Sequence, residues 1–271
     1  MKNFIKIEIE TTSSEDSEIL IAELSENNFY AFEQNESSLI SYIIEEDFNE
    51  INFKKLLSQN ATYKKSIIED RNWNADWESQ FQPVIINNFA GVRASFHKPL
   101  TGVKHEIIIT PKMSFGTGHH ATTFLMIELM QSIDFKNKKV LDFGTGTGIL
   151  AILAEKLGAA SVLAVDYDEW SINNAAENIL ANNCSLIITQ QNNNIQGVSG
   201  VDIILANINL NVLEENAKQL SLLLTRDSVL LVSGILLNNE NNLVSVFEKS
   251  GFVKKQLAKR EGWVALLFRK Q

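Results

Sequence analysis

The segment Val140-Leu-Asp-Phe-Gly-Thr-Gly-Thr-Gly148 constrains this chain more than any other stretch. A short apolar run with the composition of a buried strand meets three glycines, at 144, 146 and 148, and then a helix-forming stretch. Glycine lets the backbone turn tightly and approach a ligand without a side chain in the way. Ala164-Val-Asp166 closes the next strand, 22 residues after Gly144. A carboxylate there can accept hydrogen bonds from both ribose hydroxyls of an adenosine cofactor. Loop and acid together fit a nucleoside held at the ends of adjacent parallel strands.

That pairing does not by itself separate NAD from S-adenosylmethionine, but three details favour the methyl donor. The glycine spacing is Gly-x-Gly-x-Gly, whereas dinucleotide sites use Gly-x-Gly-x-x-Gly to admit a pyrophosphate. Asp142 stands just ahead of Gly144 and Gly146, and a carboxylate near the ligand suits an amino-acid ammonium group better than a phosphate. The chain also ends in a pattern for an antiparallel hairpin, Phe252–Lys259 and Trp263–Arg269 around Arg260-Glu-Gly262, which resembles the edge of the seven-stranded methyltransferase sheet.

The neighbouring pattern supports an α/β unit. Lys139–Phe143, Ser161–Val165, Leu186–Thr189, Asp202–Ala206 and Val229–Ser233 read as strands, with helices expected over Thr122–Met130, Ile149–Leu157 and Trp170–Asn182. Such alternation implies a parallel sheet covered on both faces. Asn207 follows the apolar strand Ile203-Ile-Leu-Ala206 and so belongs to the carboxyl edge, where ligands bind in open α/β sheets. An Asx turn that merely ends the strand is the competing explanation for it.

The first sixty residues differ in kind. They contain no glycine or proline, whereas the three prolines are Pro83, Pro99 and Pro111. Phe4–Glu10 alternates as a strand, Ser13-Ser-Glu-Asp16 opens a helix, and Phe29–Glu33 and Leu39–Ile44 read as strands. A helix over Phe48–Leu57 and a strand over Tyr63–Glu69 complete a β-α-β-β-α-β order, the pattern of a small ferredoxin-like α+β domain. Trp73 and Trp77 lie four residues apart, on one face of a helix expected over Arg71–Phe81. The expected organisation is thus an acidic recognition domain over 1–68, a linker with a helix over 69–100 that includes a possible hinge at Pro83–Gly91, and a catalytic domain over 101–271.

Charge follows the same division. Residues 1–60 hold four lysines against thirteen acids, a balance of -9 that equals the net charge of the whole chain. That sign disfavours a nucleic-acid-binding module, which neutralises phosphates with Lys and Arg, and instead suggests a basic partner steered by charge. The single cysteine, Cys184, rules out an internal disulfide and fits a reducing compartment. No apolar run is long enough for a membrane span, and the start does not look like a signal peptide, so a cytoplasmic protein is expected. His119 and His120 are adjacent, an arrangement that rarely aims two rings at one ion, and no metal is expected.

Beyond these readings the chain resembles a known family. Phe115-Gly-Thr-Gly-His-His-Ala-Thr-Thr123 resembles a signature of the PrmA family of ribosomal protein methyltransferases, within the class I S-adenosylmethionine-dependent enzymes. Asp202-Ile-Ile-Leu-Ala-Asn-Ile208, Ser233-Gly-Ile-Leu236 and the linker residues Glu69-Asp-Arg-Asn-Trp73, Trp77 and Phe81-Gln-Pro83 look like further segments of it. The likeness runs through most of the chain and is weakest over the first sixty residues. His119 stands where the family commonly has Thr and Ala121 where it has Pro, and Asn74 and Ala75 interrupt the usual acidic stretch.

The resemblance implies a seven-stranded Rossmann-like sheet with the small α+β domain in front. It implies S-adenosylmethionine as cofactor, contacted by Thr123, Gly144, Asp166 and Asn207, with Asn207 as the catalytic position. It further implies methylation of lysine side chains, with the terminal amine as a further acceptor, on the large-subunit stalk-base protein L11. A monomer that needs neither nucleic acid nor membrane is expected. The alternatives are a nucleic-acid or small-molecule amino-methyltransferase and an NAD-dependent dehydrogenase.

Overall fold

A computed structural model of the chain describes residues 3–29, 31–35, 37–57, 61–68, 82–110 and 116–271. The helix expected over Arg71–Phe81, with Trp73 and Trp77, lies outside the described residues, as does Phe115. The chain divides into two compact units, Met1–Gln80 and Phe81–Gln271.

In the smaller unit, β1 (Phe4–Glu10), α1 (Ser14–Ser25), β2 (Ala31–Gln34), β3 (Ser38–Ile44), α2 (Glu50–Leu56) and β4 (Tyr63–Ile68) follow the expected order. The sheet order is β2-β3-β1-β4 and every neighbouring pair is antiparallel. This is the ferredoxin-like arrangement. Alternation in β1 buries Ile5, Ile7 and Ile9 on one face, where they meet Leu24, Leu39, Ile43 and Phe53. Phe53 is 2% exposed and its ring lies 5.0 Å from that of Tyr63 and 5.8 Å from that of Phe29. Asn49 caps α2 by accepting from the amides of Ile51 and Asn52, which starts the helix one turn ahead of Phe53.

The larger unit opens with a three-stranded sheet, β5 (Val84–Ile86), β6 (Ala90–Arg93) and β7 (His105–Ile108). Residues 82–100, expected as linker, therefore contribute two strands to this unit. Asn87 and Asn88 make the β5–β6 turn with positive φ, a conformation Asn tolerates better than most residues, and Pro at 83 sits ahead of the paired stretch. Strands of three and four residues carry too little periodicity to stand out in a sequence.

The main sheet is built from β8 (Lys139–Phe143), β9 (Ser161–Asp166), β10 (Ile187–Gln191), β11 (Val201–Asn207), β12 (Leu224–Leu236), β13 (Phe252–Arg260) and β14 (Trp263–Lys270). Its order is β10-β9-β8-β11-β12-β14-β13, parallel from β10 to β12 and antiparallel at both β14 pairings. Five helices accompany it: α3 (Ala121–Met130), α4 (Ile149–Lys156), α5 (Glu169–Ala181), α6 (Leu210–Leu223) and α7 (Glu240–Lys249). Successive strand residues point to opposite faces, and β11 shows the consequence. Ile203 and Leu205 join the core that holds α3, α4 and α5, while Ile204 and Ala206 join the core that holds α6 and α7. Strand order reverses between β8 and β11, which opens a crevice at their carboxyl ends.

Truncating Phe53 should remove the centre of the smaller core. Phe53→Ala is expected to destabilise that unit by ~3–5 kcal/mol, measured as a lower urea midpoint for tyrosine and circular-dichroism changes in that unit; an unchanged midpoint would contradict this packing.

Candidate functional site

The strand ends at the crevice carry the polar residues singled out in the sequence. Gly144 follows β8, Asp166 ends β9 and Asn207 ends β11. Together with Phe143, Gly146, Tyr167, Asn192 and Ile208 they line a cavity of about 410 Å³. Positive φ at Gly144, Gly146 and Gly148 bends the loop back toward α4, with Gly148 as the helix N-cap. At Gly144 any Cβ would lie 2.1 Å from the Ile208 side chain. Gly234, in the Ser233-Gly-Ile-Leu segment, has φ +89°, and a Cβ there would lie 2.2 Å from the Ile208 carbonyl. The residue after Asn207 is thus wedged between two glycines, and that wedge fixes where Asn207 sits.

Two carboxylates hold the loop. Asp166, 7% exposed, accepts from the Gly146 amide at 2.9 Å through Oδ2 and from the Asp168 amide at 3.1 Å through Oδ1. Each oxygen keeps a second lone pair for a donor from the cavity. Asp142 is wholly buried and is not among the residues lining the cavity; its Oδ2 accepts from the Thr145 hydroxyl at 2.6 Å and from the Ala151 amide at 3.2 Å. Its Oδ1 has no partner among the described residues. Burial pushes the Asp142 carboxyl up to about 7, against the pull of those two donors and helped by the nearby negative charge of Asp166.

Thr123, in the first turn of α3, is fully buried and accepts from Asn207 Nδ2 at 3.3 Å. The structure thereby joins two residues 84 positions apart that the sequence could only place separately. Asn207 Oδ1 is buried without a partner among the described residues. A buried, unbonded amide oxygen is costly, and this one belongs to a residue that lines the cavity. His120 caps α3 and accepts from the Thr122 amide, while its ring lies 4.9 Å from that of Trp263. Ala121 occupies the first helical position, where Pro is also accommodated. His119 meets the Gln82 carbonyl at 2.8 Å.

Tyr167, Asn192 and Asn193 were not singled out as site residues. Tyr167 immediately follows Asp166 and is 76% exposed, a signal available in the sequence as an aromatic next to a polar strand end. Asn192 reads there only as part of a polar loop. Its amide donates to the Asp166 carbonyl at 2.8 Å, which brings that loop to the cavity.

The chemistry of the lining discriminates between ligands. The cavity presents the carboxylates of Asp166 and Asp168, several side-chain amides and backbone amides, and none of its lining residues among those described is Lys, Arg or His. A cationic nucleoside carrying both an ammonium and a sulfonium fits this set of groups.

Comparison with known proteins agrees with this chemistry. A family model described as ribosomal protein L11 methyltransferase (PrmA) matches residues 4–271. A ribosomal protein L11 methyltransferase of Bacteroides thetaiotaomicron is 35% identical over 261 residues, spanning 93% of each chain. One from Porphyromonas gingivalis is 38% identical over 260 residues, covering 93% of this chain and 90% of its own. Among solved structures, a ribosomal protein L11 methylase from Lactobacillus delbrueckii subsp. bulgaricus superposes with a TM-score of 0.65 at 29% identity, covering 70% of this chain and 100% of that one.

The raised Asp142 carboxyl makes folding depend on pH in a definite direction. The folded state holds this proton more tightly than the unfolded chain, so the group is without penalty below the usual value of 3.8 and costs stability progressively as pH rises through about 7. Asp142→Asn is therefore expected to flatten the fall in melting temperature across that window. Parallel curves for the two proteins would show that Asp142 does not titrate there.

Proposed function

The chain belongs to the PrmA family of ribosomal protein L11 methyltransferases, and from that premise we propose that it methylates lysine side chains, with the terminal amine as a further acceptor, of ribosomal protein L11. It is a class I S-adenosylmethionine-dependent protein methyltransferase, and S-adenosylmethionine is its cofactor. The observation that carries the reading is the cavity itself, anionic and amide-lined, with the unpaired Asn207 Oδ1 at its edge.

Within this reading Asp166 takes the ribose hydroxyls, and Gly144 and Gly146 let the backbone lie against the ligand. Thr123 holds the Asn207 amide in place, and Asp142 acts from beneath the loop by fixing Thr145 and Ala151. When bound, the cofactor supplies an electrophilic methyl group on sulfur and leaves as S-adenosylhomocysteine. The chain's own task is to align a neutral amine and exclude water. With a lysine pKa of ~10.4, only about one side chain in a thousand is neutral near pH 7.4, a cost of roughly 4 kcal/mol. Desolvation in a closed pocket and a neighbouring cationic sulfur both lower that pKa. Asn207 Oδ1 accepts one N–H of the incoming amine and so directs its lone pair; the ammonium proton passes to solvent before transfer, and the methylated amine leaves carrying the positive charge.

Recognition is assigned to the acidic unit, 1–68 in the sequence reading, whose surplus of carboxylates attracts a basic ribosomal protein. The enzyme is taken to act as a monomer in the cytoplasm, without nucleic acid. None of the helices among the described residues is long and apolar enough to cross a membrane. An amino-methyltransferase acting on a nucleobase would stack its target on an aromatic ring beside the catalytic Asn, whereas Ile208, Asn209 and Leu210 follow Asn207 here. A nicotinamide dehydrogenase would space its glycines Gly-x-Gly-x-x-Gly to admit a pyrophosphate, whereas the loop here reads Gly-x-Gly-x-Gly.

Tritium-labelled S-adenosylmethionine added with the protein to a lysate lacking the gene should label one small basic ribosomal protein. Label confined to RNA or small molecules would overturn the substrate while leaving the fold intact. Asn207→Ala should cut turnover by about a hundredfold, within the usual range for losing an orienting group, without lowering the melting temperature appreciably; undiminished turnover would remove Asn207 from the reaction.

A further inference from the structure

The larger unit contains a buried polar network that the cavity lining does not include. α5 and its C-cap carry Asn174, Asn178 and Asn182 at four-residue intervals, hence on one helix face. They are 1%, 0% and 8% exposed. Buried amides are costly unless bonded, and here they act as a substitute for backbone. Asn182 accepts from the Ile108 amide at 2.9 Å and donates to the Ile108 carbonyl at 2.7 Å, the two bonds a further strand would give to β7. Asn178 accepts from the Thr110 amide at 2.7 Å and donates to the Thr147 carbonyl at 2.8 Å, with a longer bond to Asn174 Oδ1 at 3.2 Å.

Thr147 extends the chain of bonds. It is fully buried within the glycine loop and donates its hydroxyl to the Gly116 carbonyl at 2.6 Å. Gly116 has φ +106°, and a Cβ there would lie 2.8 Å from Thr147 Oγ1, so this approach requires glycine. Thr110 and Gly116 are therefore both tied to Thr147, one through the Asn178 amide and the other directly.

We propose that Asn178 is a positioning residue of the methyl-transfer site, fastening the segment that leads to Thr123 onto the glycine loop. Resting on the methyltransferase reading above, the argument is one of register. Thr123 must meet Asn207 at 3.3 Å from an element that belongs to neither β8 nor β11. Gly116 is the nearest preceding residue bonded to the loop, and Asn178 holds the loop carbonyl and the Thr110 amide in one rigid unit. Asn178 lies behind the loop and acts through Thr147, Gly116 and Thr123.

The test compares Asn178→Leu, Thr147→Val and Thr147→Ser with wild type. S-adenosylhomocysteine affinity is measured by titration calorimetry and turnover by label transfer to L11, at a temperature where each protein is folded by circular dichroism. Leucine preserves the branched shape of Asn178 and removes its bonds, valine replaces the Thr147 hydroxyl with a methyl group, and serine keeps it. The expected result is about tenfold weaker binding and a lower kcat for Asn178→Leu and Thr147→Val, the effect of losing one or two buried hydrogen bonds, with Thr147→Ser close to wild type. Lower melting temperatures with unaltered affinity and kcat would overturn the proposal, because the network would then serve only stability. Should Asn178→Leu not fold, the contrast between Thr147→Val and Thr147→Ser decides on its own. A wild-type protein that does not bind S-adenosylhomocysteine would overturn the methyltransferase reading and this inference with it; normal binding by every variant would overturn this inference alone.

Discussion

The glycine loop is held in shape by carboxylates before any ligand arrives, and the rest of the site depends on that. Asp142 and Asp166 stand on adjacent parallel strands, and between them accept from the Thr145 hydroxyl and the amides of Gly146, Ala151 and Asp168. Hydrogen bonds to a charged acceptor, here those to Asp166, are each worth about 1.5–3 kcal/mol, enough to oppose the conformational freedom that glycine brings. Burying Asp142 completely has the opposite effect and favours its protonated form. The loop is thus rigid at the expense of one carboxyl that resists ionisation, and backbone amides are preorganised around the cavity.

Rigidity spreads from the loop through close backbone approaches. Ile208 lies between Gly144 and Gly234, so the strand bearing Asn207 can exit only along one path. The Ser233-Gly234 pair of the fourth family-like segment therefore serves packing around Asn207, while Ser233 itself donates to the Val264 carbonyl and secures the antiparallel β14. Such contacts couple the glycine loop to the end of β11 that bears Asn207, because moving Ile208 moves both. The asparagine face of α5 does the same for the segment ahead of α3.

The two units solve different physical problems. The larger one has both faces of its central strands covered, so β8, β9 and β11 are largely apolar on both sides and present polar residues near their carboxyl ends, which is where the cavity lies. The smaller one has one apolar sheet face, built on Ile5, Ile7, Ile9 and Phe53, and leaves its many acids to solvent.

The sequence by itself determined the order and nature of the elements of the smaller unit and, in the larger, of the seven main strands and the helices α3, α4 and α5, but not of β7, α6 or α7. It also marked Gly144, Gly146, Asp166 and Asn207 as strand-end residues, and its four ordered motifs pointed to the family. These are short-range properties, written in the periods of 2 and 3.6 residues and in the need for glycine where φ is positive. The short strands β5 and β6 escaped because three or four residues cannot display a period. Asp142 could be placed before the loop but not beneath it, since depth depends on what α4 covers. The Asn207–Thr123 bond, the inclusion of Tyr167 and Asn192 in the cavity, and the tie from Asn178 to Thr147 were decided only by the tertiary structure. Each joins residues between 20 and 84 positions apart or from different strands, and which strand ends become neighbours follows from the sheet order, which no local pattern records.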